Sequence, residues 1–124
     1  MPASMRYIVD EVAPAIAFYE RLGFQTLTHP APGFAALRLD DLRLLLNVPG
    51  AGGAGQSGDD GQIPAAGGWN RIQIQVTDLD ATVDSLRTEG LRVRTSIVEG
   101  AGGRQAVIDD PSGNPVELFQ PASD

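Results

Sequence analysis

The stretch Asp109-Asp110-Pro111-Ser112-Gly113-Asn114-Pro115-Val116-Glu117-Leu118-Phe119-Gln120-Pro121 decides the reading of this chain. It predicts a strand arriving at a tight turn and a second strand leaving it. Pro111 sets φ at a turn corner, while Gly113 and Asn114 tolerate the left-handed conformation that closes it. Beyond the turn, Val116 and Leu118 alternate with Glu117 and Phe119, so the carboxylate and one aromatic ring share a face. A carboxylate so placed is either a rim residue in solvent or a cavity residue with a task.

Working outward, the segment before this hairpin is a clean amphipathic unit. Residues 71–76 alternate, with Ile72, Ile74 and Val76 inward and Arg71, Gln73 and Gln75 on the opposite face. Asp78 is a good helix N-cap, Leu79, Val83 and Leu86 form a buried stripe, and Gly90 ends the helix. Residues 91–96, 105–109 and 115–119 supply three further strands. The first half repeats this plan. A strand over 5–9 puts Ser4, Arg6 and Ile8 on one face and Met5, Tyr7 and Val9 on the other. A helix over 12–22 follows, with Val12, Ile16, Tyr19 and Leu22 as its stripe and Gly23 as its stop. Residues 24–27 read as a strand, 28–33 as a loop, and 34–39 and 42–47 as a hairpin about Asp40-Asp41. Val9 and Val76 lie 67 positions apart, and so do Gly23 and Gly90. The expectation is an α+β fold of two βαβββ modules, residues 4–49 and 69–121, enclosing a cleft within a single domain. Residues 50–68, rich in Gly and Ala with Ile63 as the lone apolar anchor, read as a flexible linker or lid.

Composition narrows the function classes. The 124 residues suffice for one domain with a real core. Nine Arg and no Lys face sixteen acids, a net charge of −7, which argues against nucleic acid or an anionic membrane surface as partner. With no cysteine, disulfides, thiol catalysis and thiolate-bound metal are excluded. No signal peptide or apolar stretch of membrane length is evident, and a cytoplasmic location is expected.

Ala17-Phe18-Tyr19-Glu20-Arg21-Leu22-Gly23-Phe24, Val76-Thr77-Asp78-Leu79-Asp80 and Asp110 to Leu118, set in the tandem repeat, resemble the vicinal oxygen chelate superfamily. Its members include glyoxalase I, extradiol dioxygenases and bleomycin-resistance proteins. The resemblance covers nearly the whole chain outside residues 50–68, and it implies a scaffold that hosts several activities. In the family's enzymes a divalent ion is held from four equivalent places, which fall here on Ser4, Leu45, Arg71 and Glu117. Only Glu117 matches a ligand type; Leu45 has no donor and Arg71 is permanently cationic. Two unit charges of like sign 4 Å apart repel by roughly 4 kcal/mol at an effective dielectric near 20, and a divalent ion by about twice that. A family-type metal site is therefore not expected, nor any other cofactor. His29, the lone histidine, reads as a solvated loop residue.

Without metal, Arg71 and Glu117 are expected to pair, either filling the old ligand cage or serving a polar ligand. Ser4, Arg6, Phe34, Leu45, Asn47, Gln73, Gln75 and Phe119 are expected to line the same faces. Trp69, the single Trp, either caps the core or stacks on a planar ligand. Gln73 and Gln75, if buried, need partners for their amides. The resemblance favours a metal-free binding protein of the bleomycin-resistance kind, sequestering an antibiotic or related aromatic natural product, as a homodimer with clefts shared between chains. The alternative is a metal-independent lyase or isomerase with Glu117 as base and Arg71 stabilising an oxyanion. Against it, an Arg neighbour favours the charged carboxylate and weakens it as a base.

Overall fold

The chain runs through β1 (Ser4–Ile8), α1 (Val12–Arg21), β2 (Gln25–Ala31), β3 (Phe34–Leu39), β4 (Leu42–Asn47), β5 (Ile72–Gln75), α2 (Leu79–Thr88), β6 (Val93–Gly100), β7 (Gly103–Asp109) and β8 (Pro115–Pro121). The structure, a computed structural model, describes residues 3–123. The strands make two four-stranded sheets, ordered β1-β4-β3-β2 and β5-β8-β7-β6. In each, the first strand pairs in parallel with the last, and the remaining pairs are antiparallel. Parallel pairing needs a crossover, which the helix of each module supplies. This is an α+β fold of two βαβββ modules, parting into compact units between Ala66 and Gly67.

Both helices end the same way, and the repeated glycines show why. Gly23 and Gly90 have φ of 102° and 89°. The N–H of Gly23 bonds the carbonyl of Glu20, and that of Phe24 the carbonyl of Tyr19; Gly90 and Leu91 bond those of Arg87 and Leu86 in the same way. These paired bonds are Schellman closures, which need a left-handed residue at the position that glycine fills. Asp78 caps α2 by accepting from the Ala81 N–H at 3.0 Å.

The two cores differ in kind. In the first unit Tyr19 is edge-on to Tyr7, Phe18 and Phe24, with centroid separations of 6.2, 4.9 and 5.5 Å. Edge-to-face pairs contribute about 0.5–1.5 kcal/mol each beyond their buried area. The second core is aliphatic, with Ile72, Ile74, Leu79, Val83, Leu86, Ile108, Val116 and Leu118 buried. On its surface Arg104 grips Asp80 through two nitrogens at 2.8 and 3.1 Å, tying β7 to α2 and holding the Asp80 carboxyl below its ordinary range.

Three local expectations need correction. The buried stripe of α1 is Val12, Ala15, Phe18 and Tyr19, with Ile16 and Leu22 only partly covered, because Phe18 turns its ring onto Tyr19. Residues 28–31, read as loop, continue β2. They lie on an edge strand with two register shifts, where Pro30 costs no ladder bond and His29 stays exposed. Asn114 does not take a left-handed conformation; Gly113 alone does, at φ 90°. Asp110 explains this by accepting from the N–H groups of Ser112 and Asn114, both at 2.9 Å, and so closing the turn itself.

The start of the Gly-rich segment forms a hydrogen-bonded turn. The N–H of Gly50 bonds the carbonyl of Gly55 at 2.7 Å, and the N–H of Gly55 bonds the carbonyl of Ala51 at 3.0 Å. The Gln56 amide donates to the carbonyls of Gly50 and Gly52 at 3.2 and 2.9 Å. A Cβ on Gly55 would lie 2.5 Å from the Ala51 nitrogen and 2.6 Å from its oxygen. Gly55→Ala should therefore open this turn and lower stability by about 1–3 kcal/mol, read by thermal and denaturant melts. Gly53→Ala, where a Cβ meets nothing within 4 Å, should leave the melt unchanged.

Candidate functional site

In each sheet, alternation leaves one face to the helix and the other open. In the first unit Tyr7, Leu37, Leu44 and Leu46 are buried toward α1. The opposite face carries Ser4, Arg6 and Ile8 from β1, Leu45 and Asn47 from β4 and Phe34 from β3, brought level by the pairings Arg6↔Leu45, Ile8↔Asn47 and Phe34↔Asn47. In the second unit the open face carries Gln73 and Gln75 from β5 and Glu117 and Phe119 from β8, paired Gln73↔Glu117 and Gln75↔Phe119. Arg71 stands just ahead of β5. Ser4, Arg6, Phe34, Leu45 and Asn47 thus share one face of the first sheet, and Gln73, Gln75, Glu117 and Phe119 one face of the second, while Trp69 and Arg71 precede β5.

The second face is built around charge. Glu117 is only 8% exposed. Its Oε1 accepts from Arg71 Nε at 3.0 Å and lies 2.9 Å from Arg71 Nη2, while its Oε2 accepts from Gln73 Nε2 at 2.6 Å. Arg71 also donates to the Trp69 carbonyl at 3.2 Å. The expected pair exists, with Gln73 as a third member. Gln73 and Gln75 are both exposed.

Sequence reasoning missed the neighbouring cluster. Arg94 on β6 donates from Nε to buried Asp109 at 2.8 Å, from Nη2 to the Gly113 carbonyl at 2.9 Å, and from Nη1 to the Gly68 carbonyl. Its guanidinium sits 4.6 Å from the centroid of the Trp69 ring, a cation–π contact. Trp69 is 61% exposed, so it does not cap the core; one ring face lies on Arg94 and the rest is open. Arg92 adds a weaker contact to Asp109 at 3.5 Å. The signal was present in Asp109-Asp110, two acids before a proline, since buried acids demand donors. Nothing in the sequence said which arginine would answer.

The sequence profile of the Glyoxalase/Bleomycin resistance protein/Dioxygenase superfamily matches residues 3–118. The chain belongs to this superfamily. Similar solved structures include a lactoylglutathione lyase from Agrobacterium tumefaciens, at 18% identity and TM-score 0.71, covering 97% of this chain and 92% of that one. TnmS3, an antibiotic binding protein from Streptomyces sp. CB03234, has 24% identity and TM-score 0.70, with 98% and 96% covered. A superfamily member from Sphaerobacter thermophilus has 22% identity and TM-score 0.72, with 97% and 96% covered. No curated protein sequence matches the chain. At these identities the structures share the fold.

The superfamily's enzymes imply a divalent metal, and the donor set does not fit one. Both Glu117 oxygens already face N–H donors, and a guanidinium stands 2.9 Å from one of them. Leu45 is apolar, and among the described residues no three His, Cys, Asp or Glu side chains gather as a metal site requires.

Arg94→Gln tests the cluster. Removing a buried charge's main partner should cost about 3 kcal/mol, the low end for such pairs because Arg92 remains. Trp69 fluorescence anisotropy should fall as its ring loses its seat. A variant with unchanged stability and anisotropy would show that Arg94 does not hold Trp69.

Proposed function

We propose that this protein is a metal-free small-molecule binding protein that sequesters an antibiotic or related aromatic natural product. The observation that carries this reading is Trp69, a large aromatic held against Arg94 with 61% of its surface open. Leaving so much indole exposed forgoes burial that would stabilise the fold. A planar ligand stacking on the free face would recover it, with Gln73, Gln75 and Phe119 on the adjoining face as contacts. The similarity to an antibiotic binding protein agrees with this reading.

The competing reading makes Glu117 a general base and Arg71 an oxyanion stabiliser. Both oxygens of Glu117 are occupied by donors within 3.0 Å, so a substrate proton must displace one of them. That weighs against turnover as the protein's purpose.

Intrinsic fluorescence tests the binding reading, since the single Trp should quench or shift when an aromatic antibiotic binds. Trp69→Ala should weaken binding by about 1–3 kcal/mol, the range for an anchoring aromatic. Arg71→Ala should cost more than Glu117→Gln, because it strands the carboxylate. A ligand that binds all three variants equally would place the site elsewhere. A compound consumed by the wild type but not by Glu117→Gln would establish the enzyme.

We further propose a cytoplasmic homodimer, the 124 residues acting as one functional domain. Edge strands β2 and β6 present Leu27 and Val98, 45% and 51% exposed, and apolar edges favour association. Among the described residues no helix is long and apolar enough to cross a membrane. One preparation examined by light scattering and elemental analysis should give a dimer without stoichiometric Zn, Ni, Fe or Mn. A monomer would refute the dimer, and one tightly held metal per chain would refute the metal-free reading.

A further inference from the structure

Arg6 and Asn47 form a second polar arrangement, wholly within the first unit, and its chemistry differs from that of the Glu117 face. Arg6 Nη1 donates to Asn47 Oδ1 at 2.7 Å. Asn47 is 1% exposed and is fixed from its other end, its Nδ2 donating to the Val48 carbonyl at 3.3 Å. A buried, doubly engaged amide is a rigid anchor, so Arg6 is aimed by it. An amide aims a guanidinium without neutralising it. Arg71 and Arg94 each face a carboxylate at 3.0 Å or less. Among the described residues no carboxylate stands within ion-pair distance of Arg6.

These two residues, with Phe34 and the turn from Ala51 to Ala54, line a cavity of about 240 Å³. The turn is held closed by the Gly50–Gly55 bonds and docks close to Gly33, where an added Cβ would come within 2.9 Å of the Ala51 side chain. Pockets for whole drug-sized ligands run to roughly 300–1,000 Å³. This one suits a terminal group of a ligand. Its wall offers one aimed cation, one aromatic surface and a backbone turn at Gly52 and Gly53 where no Cβ blocks approach.

We propose that this pocket binds a carboxylate-bearing aromatic group, the anion on the free N–H groups of Arg6 and the ring against Phe34. The inference rests on the small-molecule binding reading and gives the first unit a preference for ligands with an anionic end. A planar fork of N–H donors matches a carboxylate in two bonds at once, which an uncharged amide cannot equal.

The test is a ¹⁵N NMR titration of the full chain with benzoate and, separately, its neutral analogue benzamide. Benzoate should shift the amides of Asn47 and of Gly52 to Ala54, and bind about tenfold or more tightly than benzamide. Arg6→Gln, which keeps a donor for Asn47 and should fold, is expected to abolish the preference; Arg6→Lys should retain part of it. Equal binding of the two probes, benzoate shifts confined to residues around Arg71 and Arg94, an undiminished preference in Arg6→Gln, or no shift at Asn47 and the turn would each overturn the proposal. The two readings fail separately. Neutral aromatics that quench Trp69 while benzoate ignores Arg6 would leave the binding function standing and remove only the anionic end.

Discussion

Two carboxylates on one sheet face, each nearly sealed from water, set the terms for the second module. Asp109 pairs with Pro115, two residues along β8 from Glu117, which places the acids one diagonal step apart, about 7–8 Å. Neither can stay charged and dry without a cation of its own. Arg71, just ahead of β5, answers Glu117, and Arg94, from β6, answers Asp109. The same two guanidiniums reach back to the carbonyls of Trp69 and Gly68. The entry of the chain into β5 is thereby pinned, and with it the position of the indole. The exposed indole is a by-product of solving a burial problem.

The first module shares the topology and solves a different problem. At the place corresponding to Glu117 it has Leu45, and its polar contact is an amide holding an arginine. One open face is internally neutralised and carries an exposed ring; the other keeps a spare positive charge beside a small pocket. Two copies of a supersecondary plan have been given unlike surfaces on like frames. This is how one scaffold comes to host lyases and antibiotic binders alike.

The βαβββ repeat was legible because its signals are local. Strand alternation, the Asp78 cap and the paired glycines at 23 and 90 each follow from backbone chemistry that neighbouring residues fix. The face assignment of Arg6, Asn47, Gln73 and Glu117 followed from the same period of two. Where local signals conflicted the reading failed, as at residues 28–31, where Pro30 and His29 looked like loop but lie on a bulged edge strand that tolerates them.

The sequence by itself therefore determined the order of elements, the turn at Asp110 to Asn114, and which side chains share an open face. It also carried the expectation that no family-type metal site forms, because Leu45 offers no donor and Arg71 is a permanent cation. Only the tertiary structure decided which arginine meets which acid, since Arg94 and Asp109 are brought together by strand pairing across a bulge. It alone decided that Trp69 stands exposed on Arg94, and that the turn after Gly50 closes over Arg6 and Asn47. Long, flexible guanidinium side chains can reach many partners, and the choice among them is made by packing and desolvation, which no local pattern encodes.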